Sequence, residues 1–343
     1  MTAQPPPPQP ASGQPDPIAW HVPPRQRYQL AARAPGLAWW RGLVALALFA
    51  AAFVLAQLIL TGLLIATALL LDKPEWLGLE GQMNPALLLV TNLALAALIP
   101  ASMVIERLVF KVPAGQIHSV AGRIRWRWLG LCALVSAPLW ALWVGLGSGE
   151  VSWAGVSATV LAYTVITILT TPLQSAGEEY GFRGLIMRSF GVLIPHRQVA
   201  LGVGLVVSSA VFMVAHFAAD PWLNVYYFAL GVVFSVMAFR TGGLELPVVV
   251  HTLNNVFALL VTTWTGTMDQ AFERSVGAGT PLLLLGPLLG LAVLAIAELL
   301  GRRAGSWQVR TPAEPPGIAA LAAPGTGPRT GATAYDLSRS WPR

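Results

Sequence analysis

Residues 154–183 read AGVSATVLAYTVITILTTPLQSAGEEYGFR, and this stretch decides the fold. The run 154–177 is long and apolar enough to cross a membrane, which takes ~20 mostly apolar residues. Glu178, Glu179 and Arg183 follow it directly. An ionised side chain at the bilayer centre costs roughly 2.5–3.5 kcal/mol even on mild insertion scales. Three charges attached to such a run therefore need a structural or functional reason.

The composition places the chain among integral membrane proteins. Of its 343 residues, 55% are hydrophobic and only 10% are charged, whereas soluble globular proteins carry about 25% charged residues. The net charge of +6 does not indicate a nucleic-acid partner, because the basic residues are scattered between apolar runs and form no block that tracks a phosphate backbone. The single cysteine, Cys132, excludes an intramolecular disulfide and a Cys-rich metal site.

Eight apolar runs are long enough to span a bilayer, which predicts an all-α, polytopic integral membrane helix bundle of about eight transmembrane helices. We expect this transmembrane domain to occupy residues 37–303. A Pro-rich N-terminal tail, 1–36, and a C-terminal tail, 304–343, should be disordered, because neither composition can build a core. Glu106, near the end of the second run, favours a stop near residue 105. The candidate spans are 42–71, 86–110, 127–147, 154–177, 199–217, 222–240, 244–264 and 280–300.

The basic residues predict the orientation of these spans. Counted by alternate sides, 19 of the 21 Lys and Arg residues fall on one side, and only Lys73 and Arg274 fall on the other. Because cytoplasmic loops carry the excess of Lys and Arg, we expect a multi-pass protein of the cell membrane with both termini cytoplasmic. The lipid bilayer is then its first partner. Segment 111–126 is either a short interfacial helix or a solvated basic loop.

Helical spacing separates the roles of the three charges. Residues four apart share a helix face, so Glu179 can pair with Arg183 in a structural ion pair. Glu178 points about 100° away from Glu179 and is left to face a cavity as a base. The alternative is that all three are solvated residues at the cytoplasmic end of span 4.

Two further motifs place polar groups in apolar runs. Phe212 and His216 share a helix face, and so do His251 and Asn255. An imidazole and an amide both donate hydrogen bonds, which suits stabilisation of an oxyanion. Packing and interhelical hydrogen bonding are the alternatives for both motifs, and Asn254 competes for the amide role. Together with a buried carboxylate, these groups suit hydrolysis of an amide inside a membrane cavity.

The depth of the two histidines is a separate expectation. If span 5 begins at 199, His216 lies ~25 Å along it, whereas His251 lies only ~10 Å along span 7, at 1.5 Å per residue. A shared site then requires that span 5 begins late, after a re-entrant 190–203, or that the helices tilt strongly.

The motifs, on successive spans, resemble those of the CPBP family, which covers CAAX prenyl proteases of the Ras-converting type and bacteriocin-processing or immunity proteins, also called the ABI family. The resemblance covers about residues 150–265 and implies an intramembrane endopeptidase. It further implies that Glu178 and His216 activate water and that His251 and Asn255 form the oxyanion hole. The motifs stand here as Glu178-Glu179-Tyr180-Gly181-Phe182-Arg183, Phe212 to His216, and His251 to Asn255, all complete.

The cofactor and the substrate stay open at this point. The family has been viewed both as metalloproteases and as glutamate-dependent proteases; if a divalent metal such as zinc is used, Glu178, His216 and His251 are its candidate ligands. The expected substrate is a membrane-associated or prenylated, CAAX-type, protein or peptide. A catalytically inactive scaffold or immunity protein of the same fold is the first alternative, and a proton-coupled transporter is the second.

Overall fold

A computed structural model describes residues 25–34, 36–78, 83–147 and 152–312. Residues 1–24 and 313–343 of the predicted tails lie outside the described residues. Within the described ranges the chain is helical and contains no strand. The helices are α1 (Arg41–Leu70), α2 (Pro85–Ala96), α3 (Leu98–Ile105), α4 (Trp126–Gly147), α5 (Ala158–Glu179), α6 (Met187–Leu193), α7 (Arg197–Val214), α8 (Pro221–Thr241), α9 (Glu245–Thr265), α10 (Met268–Ala271) and α11 (Leu285–Arg303).

The predicted fold class is confirmed. Eight helical segments in the described part of the chain are long and apolar enough to cross a membrane. Their apolar residues also face outward: Leu58, Leu63 and Leu70 of α1 are 64%, 58% and 84% exposed, as expected where hydrocarbon replaces water around the bundle. The eight segments are Arg41–Leu70, Pro85–Phe110, Trp126–Leu146, Ala158–Leu193, Arg197–Val214, Pro221–Thr241, Glu245–Thr265 and Pro281–Arg303.

Polar caps and prolines define several helix starts. Ser157 accepts a hydrogen bond from the Val160 amide at the start of α5. Asp220 accepts from the Leu223 amide at the start of α8, where Pro221 follows at the first helical position. Side chains of this kind satisfy N–H groups that have no partner within the helix.

Span 4 is longer than the sequence predicted, and this is the main correction to the fold. It continues past residue 177 through a π-helical segment, Tyr180–Ile186, into α6. Glu178, Glu179 and Arg183 therefore lie inside a continuous helix and are buried. The interpretation as solvated residues at a span end is wrong, because pairing inside the bundle makes these charges compatible with a longer span.

A second buried ion pair explains why span 2 does not stop at residue 105. The helix continues through the π-helical segment Glu106–Phe110. Glu106 lies 2.7 Å from Arg188 of α6, and both side chains are fully buried. The carboxylate is thus paired inside the protein, and the helix does not need to end where the charge appears.

Close helix packing surrounds α5. Gly177 lies against the junction of α2 and α3, where an added Cβ would be 1.9 Å from the Leu95 carbonyl oxygen. Gly181, one turn later, lies against Phe49 of α1, where a Cβ would be 2.4 Å from the ring. Only glycine permits these approaches, so the motif is fixed on two sides by neighbouring spans.

The segments at both ends of the described chain join one end of the bundle. Arg27 and Arg310 form an isolated backbone bridge, and the Tyr28 hydroxyl donates to the Ile117 carbonyl at 2.6 Å. Trp307 packs edge-on against Trp128 of α4. The expected disorder of the two tails therefore does not extend to residues 25–34 and 304–312, which are packed against the bundle. Buried and packed aromatic rings in these segments outweigh the composition around them.

A glycine substitution tests the packing of α5. We expect Gly177→Ala to destabilise the protein by about 1–3 kcal/mol, because its methyl group would overpack the α2–α3 junction. Gly62 of α1 is the matched control, since no heavy atom lies within 4 Å of a Cβ placed there. Gly62→Ala should be neutral or stabilising, since Ala is favoured over Gly in helices by roughly 0.5–1 kcal/mol. Thermal unfolding in detergent measures both, and an equal effect would contradict the close approach.

Candidate active site

Two adjacent carboxylates of α5 hold one imidazole of α9 between them. The Glu179 carboxylate lies 2.8 Å from His251 Nδ1, and the Glu178 carboxylate lies 3.3 Å from His251 Nε2. Both ring nitrogens thus face a carboxylate. Glu178 and Glu179 are separated by 100° around the helix axis, which allows their side chains to reach opposite edges of the same ring.

Arg183 completes this cluster of charges. Its guanidinium donates to the same Glu179 oxygen at 2.9 Å, and both side chains are fully buried. It also donates to the Gly231 carbonyl of α8 at 3.3 Å. The spacing of four residues correctly predicted this contact, but not that Glu179 also bonds His251.

Aromatic rings surround the charged groups. Phe234 of α8 stacks on His251 with a centroid distance of 5.1 Å, and the Arg183 guanidinium lies 4.3 Å from the Phe212 ring centroid. Phe212 also meets His251 edge-on at 5.7 Å. Rings at these positions exclude water and favour the guanidinium through cation–π attraction.

His216 lies just beyond the end of α7 and contacts the cluster through the Phe212 ring, which also meets His251. Its Nδ1 lies 2.7 Å from the Phe212 carbonyl oxygen, so this nitrogen carries the proton and Nε2 keeps a free lone pair. The ring stacks on Tyr227 of α8 at a centroid distance of 3.8 Å and meets Phe212 at 4.6 Å. Burial lowers the pKa of His216 below its ordinary value, which keeps the imidazole neutral.

Asn255 lies one turn beyond His251 and reaches α5. Its amide donates to the Gln174 side chain at 3.2 Å and lies 3.4 Å from the Ser175 hydroxyl. Asn254 points elsewhere: its side-chain oxygen accepts from Trp140 and Tyr226, both at 3.3 Å. Asn255 is therefore the amide on the α5 side of α9, where Glu178 also lies.

The two histidines meet on either side of the Phe212 ring, at centroid distances of 4.6 and 5.7 Å. The helix α7 begins at Arg197, so span 5 does not begin late. The start of α9 is buried in the protein, where Glu245 is 4% exposed and pairs with Arg125 at 2.7 Å. Segment 114–125 covers this start, because the Val120 amide donates to the Gly242 carbonyl at 2.8 Å. That segment is neither a regular helix nor a simple solvated loop, since Gln116, Ile117 and Ser119 are buried.

The candidate ligands do not form a metal site in this arrangement. No group of three or more His, Cys, Asp or Glu residues within the described ranges is placed to hold a metal ion. His251 Nδ1 bonds the Glu179 carboxylate at 2.8 Å, and its Nε2 lies 3.3 Å from the Glu178 carboxylate. Glu178, His216 and His251 are thus not arranged as a set of metal ligands in the described part of the chain.

Sequence reasoning missed three groups that touch the site. Tyr227 stacks on His216, Phe234 stacks on His251, and Gln174 binds Asn255. Gln174 lies four residues before Glu178 on the same face of α5, which is a usable signal. Tyr227 and Phe234 share a face of α8, but nothing in the sequence says which face of α8 meets the histidines.

The fold and the site define a polytopic helical membrane protein with a buried cluster of two glutamates, an arginine and a histidine, and with a second, partly buried histidine beside it. Residues 161–257 match the family described as type II CAAX prenyl endopeptidase Rce1-like. This match confirms the resemblance to the CPBP family over residues 161–257. It spans every predicted site residue, from Glu178 to Asn255.

Two curated relatives resemble a similar portion of the chain. The chain is 36% identical over 84 residues to the membrane-embedded CAAX protease MroQ of Staphylococcus aureus. The aligned segment covers 24% of this chain and 33% of that protein. The chain is also 29% identical over 102 residues to the uncharacterized protein YyaK of Bacillus subtilis. This aligned segment covers 28% of this chain and 33% of that protein. The chain thus matches about a third of the length of each relative. No solved structure matches it.

Removal of Arg183 tests the buried ion pair. We expect Arg183→Ala to cost about 3–5 kcal/mol and mainly to lower the yield of folded protein, because it leaves Glu179 buried without its cation. Arg240→Ala is the matched control, since Arg240 pairs with Glu298 at 2.6 Å but is 47% exposed. Exposed pairs contribute about 0–1 kcal/mol. Folded yield and melting temperature in detergent measure both. A normal yield for Arg183→Ala would contradict the structural role.

Proposed function

We propose that this protein is an intramembrane endopeptidase that hydrolyses peptide bonds of membrane-associated substrates. The observation that carries the proposal is the single imidazole, His251, held between the carboxylates of Glu178 and Glu179 at 3.3 and 2.8 Å inside the bundle. A buried carboxylate beside an imidazole supplies general acid–base groups, which contribute typically 10²–10⁴-fold to a rate.

In the proposed mechanism, Glu178 and His216 activate the attacking water. Glu178 acts as the base. His216 offers the lone pair of Nε2, because its Nδ1–H donates to the Phe212 carbonyl. Stacking on Tyr227 fixes the plane of this ring. A neutral His216, whose pKa is lowered by burial, can accept a proton from the attacking water and then deliver it to the leaving amine.

His251 and Asn255 are the proposed donors to the oxyanion. A His251 ring protonated on both nitrogens donates to Glu179 through Nδ1 and offers Nε2–H to the substrate. The 3.3 Å contact with Glu178 is the longer of the two, and it is the one that a bound substrate must displace. Glu179 and Arg183 then orient His251 and do not touch the reacting atoms.

The family match and one relative support the proposed substrate class. MroQ is named as a CAAX protease, so prenylated CAAX-type proteins are one proposed substrate group and other membrane-associated peptides are the second. Even without Arg183 and Arg188, which are buried inside span 4, the Lys and Arg residues favour one side, and this supports cytoplasmic termini. A site closed by Phe212, Phe234 and Tyr227 suits a substrate that enters from an apolar environment.

Substitution of the acid–base groups tests the activity. We expect Glu178→Gln and His216→Ala to lower peptide cleavage at least 10²-fold, measured with a library of membrane peptides in liposomes and mass spectrometry of the products. Glu75→Gln is the control, because Glu75 lies on the surface with a 61% exposed side chain and should retain full activity. Equal cleavage by the parent and both variants would exclude the protease and favour a scaffold. Loss in Glu179→Gln but not in Glu178→Gln would reverse the two roles.

A chelator tests the subclass. We propose glutamate-dependent chemistry, because both nitrogens of His251 face carboxylates. Cleavage in the same liposomes should persist after treatment with a chelator and dialysis. The subclass proposal fails if activity disappears and returns on addition of zinc, and this outcome leaves the endopeptidase proposal intact.

A further inference from the structure

A basic cavity of about 180 Å³ lies at the end of the bundle where both described chain ends meet, apart from the candidate active site. It is built from the segment 25–30, the first turn of α7, the end of α8 and residue 310. Four of its lining side chains are guanidinium groups, and none of its lining residues is acidic. The arginines are Arg25, Arg27, Arg197 and Arg310.

These arginines have no acidic partner in the part of the chain that the structure describes. Within the described ranges, none of the four forms an ion pair with Asp or Glu, whereas the neighbouring Arg240 is bound to Glu298 at 2.6 Å. Burial lowers the pKa of Arg27, and the charges of Arg310 and Arg240 lower it further. Cations gathered without a counter-charge repel one another, and a bound anion relieves that repulsion.

A buried amide oxygen in the same cavity also lacks a partner. Gln29 lines the cavity and is only 3% exposed, and its Oε1 atom has no hydrogen-bond partner among the described residues. A buried polar group without a partner costs roughly 1–3 kcal/mol. Rotation of this amide by 180° places its N–H groups at the same position, where they can donate to a ligand in the cavity.

The walls of the cavity are held in place before any ligand arrives. Arg33 donates to the carbonyls of Gly191 and Pro195 at 2.7 and 2.9 Å, which ties the N-terminal segment to the end of α6. The Arg27 guanidinium lies 5.2 Å from the centroid of the Phe239 ring of α8. Binding therefore needs little ordering of the chain, which favours affinity.

We propose that this cavity binds the phosphate of an anionic phospholipid headgroup. Guanidinium groups bind phosphate through paired N–H donors. The apolar part of the lining comes from Phe239 and Leu201, near the ends of two membrane spans. A phosphate held there lies at the level of lipid headgroups, with acyl chains against the apolar surface of the spans. The site is independent of the proposed protease activity.

Lipid binding by the full-length protein in neutral detergent tests this proposal. The probes are phosphatidylglycerol, phosphatidylcholine with the same acyl chains, and inorganic phosphate, with bound lipid counted by native mass spectrometry. We expect phosphatidylglycerol to bind about ten-fold or more tighter than phosphatidylcholine. Arg27→Gln with Arg310→Gln should remove this preference, since one arginine at an anionic headgroup changes affinity about five-fold.

The control removes one positive charge elsewhere and leaves the cavity intact. Arg303→Gln, at the exposed end of α11, should weaken phosphatidylglycerol binding less than two-fold. Arg197→Gln changes an exposed side chain and tests the site if the double variant does not fold. Equal binding of both lipids, or an equal loss in Arg303→Gln, would overturn the proposal. So would saturation by inorganic phosphate alone without binding of phosphatidylglycerol.

Discussion

The contact on which the molecule depends most is the fully buried pair between Arg183 and Glu179. A cation at this depth requires a counter-charge, and Glu179 supplies it at 2.9 Å. The same carboxylate oxygen binds His251 at 2.8 Å, so one atom fixes both the cation and the imidazole. α5, α9 and, through the Gly231 carbonyl, α8 meet at this point. A buried pair of this kind is valuable chiefly for the arrangement that it specifies, because removal of either partner leaves an uncompensated charge.

The backbone of α5 makes this arrangement possible. Its π-helical segment begins directly after Glu179, and insertions of this type often occur at functional sites. Gly177 and Gly181 allow α2–α3 and α1 to approach the same turn. The helix that carries the charges is thus fixed by two other spans, while its carboxylates face a third. Rigid support of this kind holds a carboxylate and an imidazole within the small tolerance that proton transfer requires.

The sequence predicted the fold class and the residues of the cluster, because hydrophobic runs and four-residue spacings report directly on helices. It predicted the contact of Glu179 with Arg183 for the same reason. It did not predict that span 4 continues to Leu193, because a charge in an apolar run looks the same whether it ends a helix or is paired inside the bundle. The partners Tyr227 and Phe234 depend on how α8 is rotated against α7 and α9. That rotation is set by packing between spans. The sequence of one helix says little about which of its faces meets which neighbour.

The backbone pairing of the two chain ends has a consequence for biogenesis. The Thr311 amide donates to the Gln26 carbonyl at 2.9 Å, and the Gln26 amide donates to the Thr311 side chain at the same distance. These partners are 285 positions apart. Gln26 therefore cannot pair with Thr311 until all eight spans have entered the bilayer. The end of the bundle that they cover is therefore completed only after insertion of the final span. A ribosome-bound intermediate lacks this closure, and its N-terminal segment stays accessible to proteases until synthesis has passed residue 311.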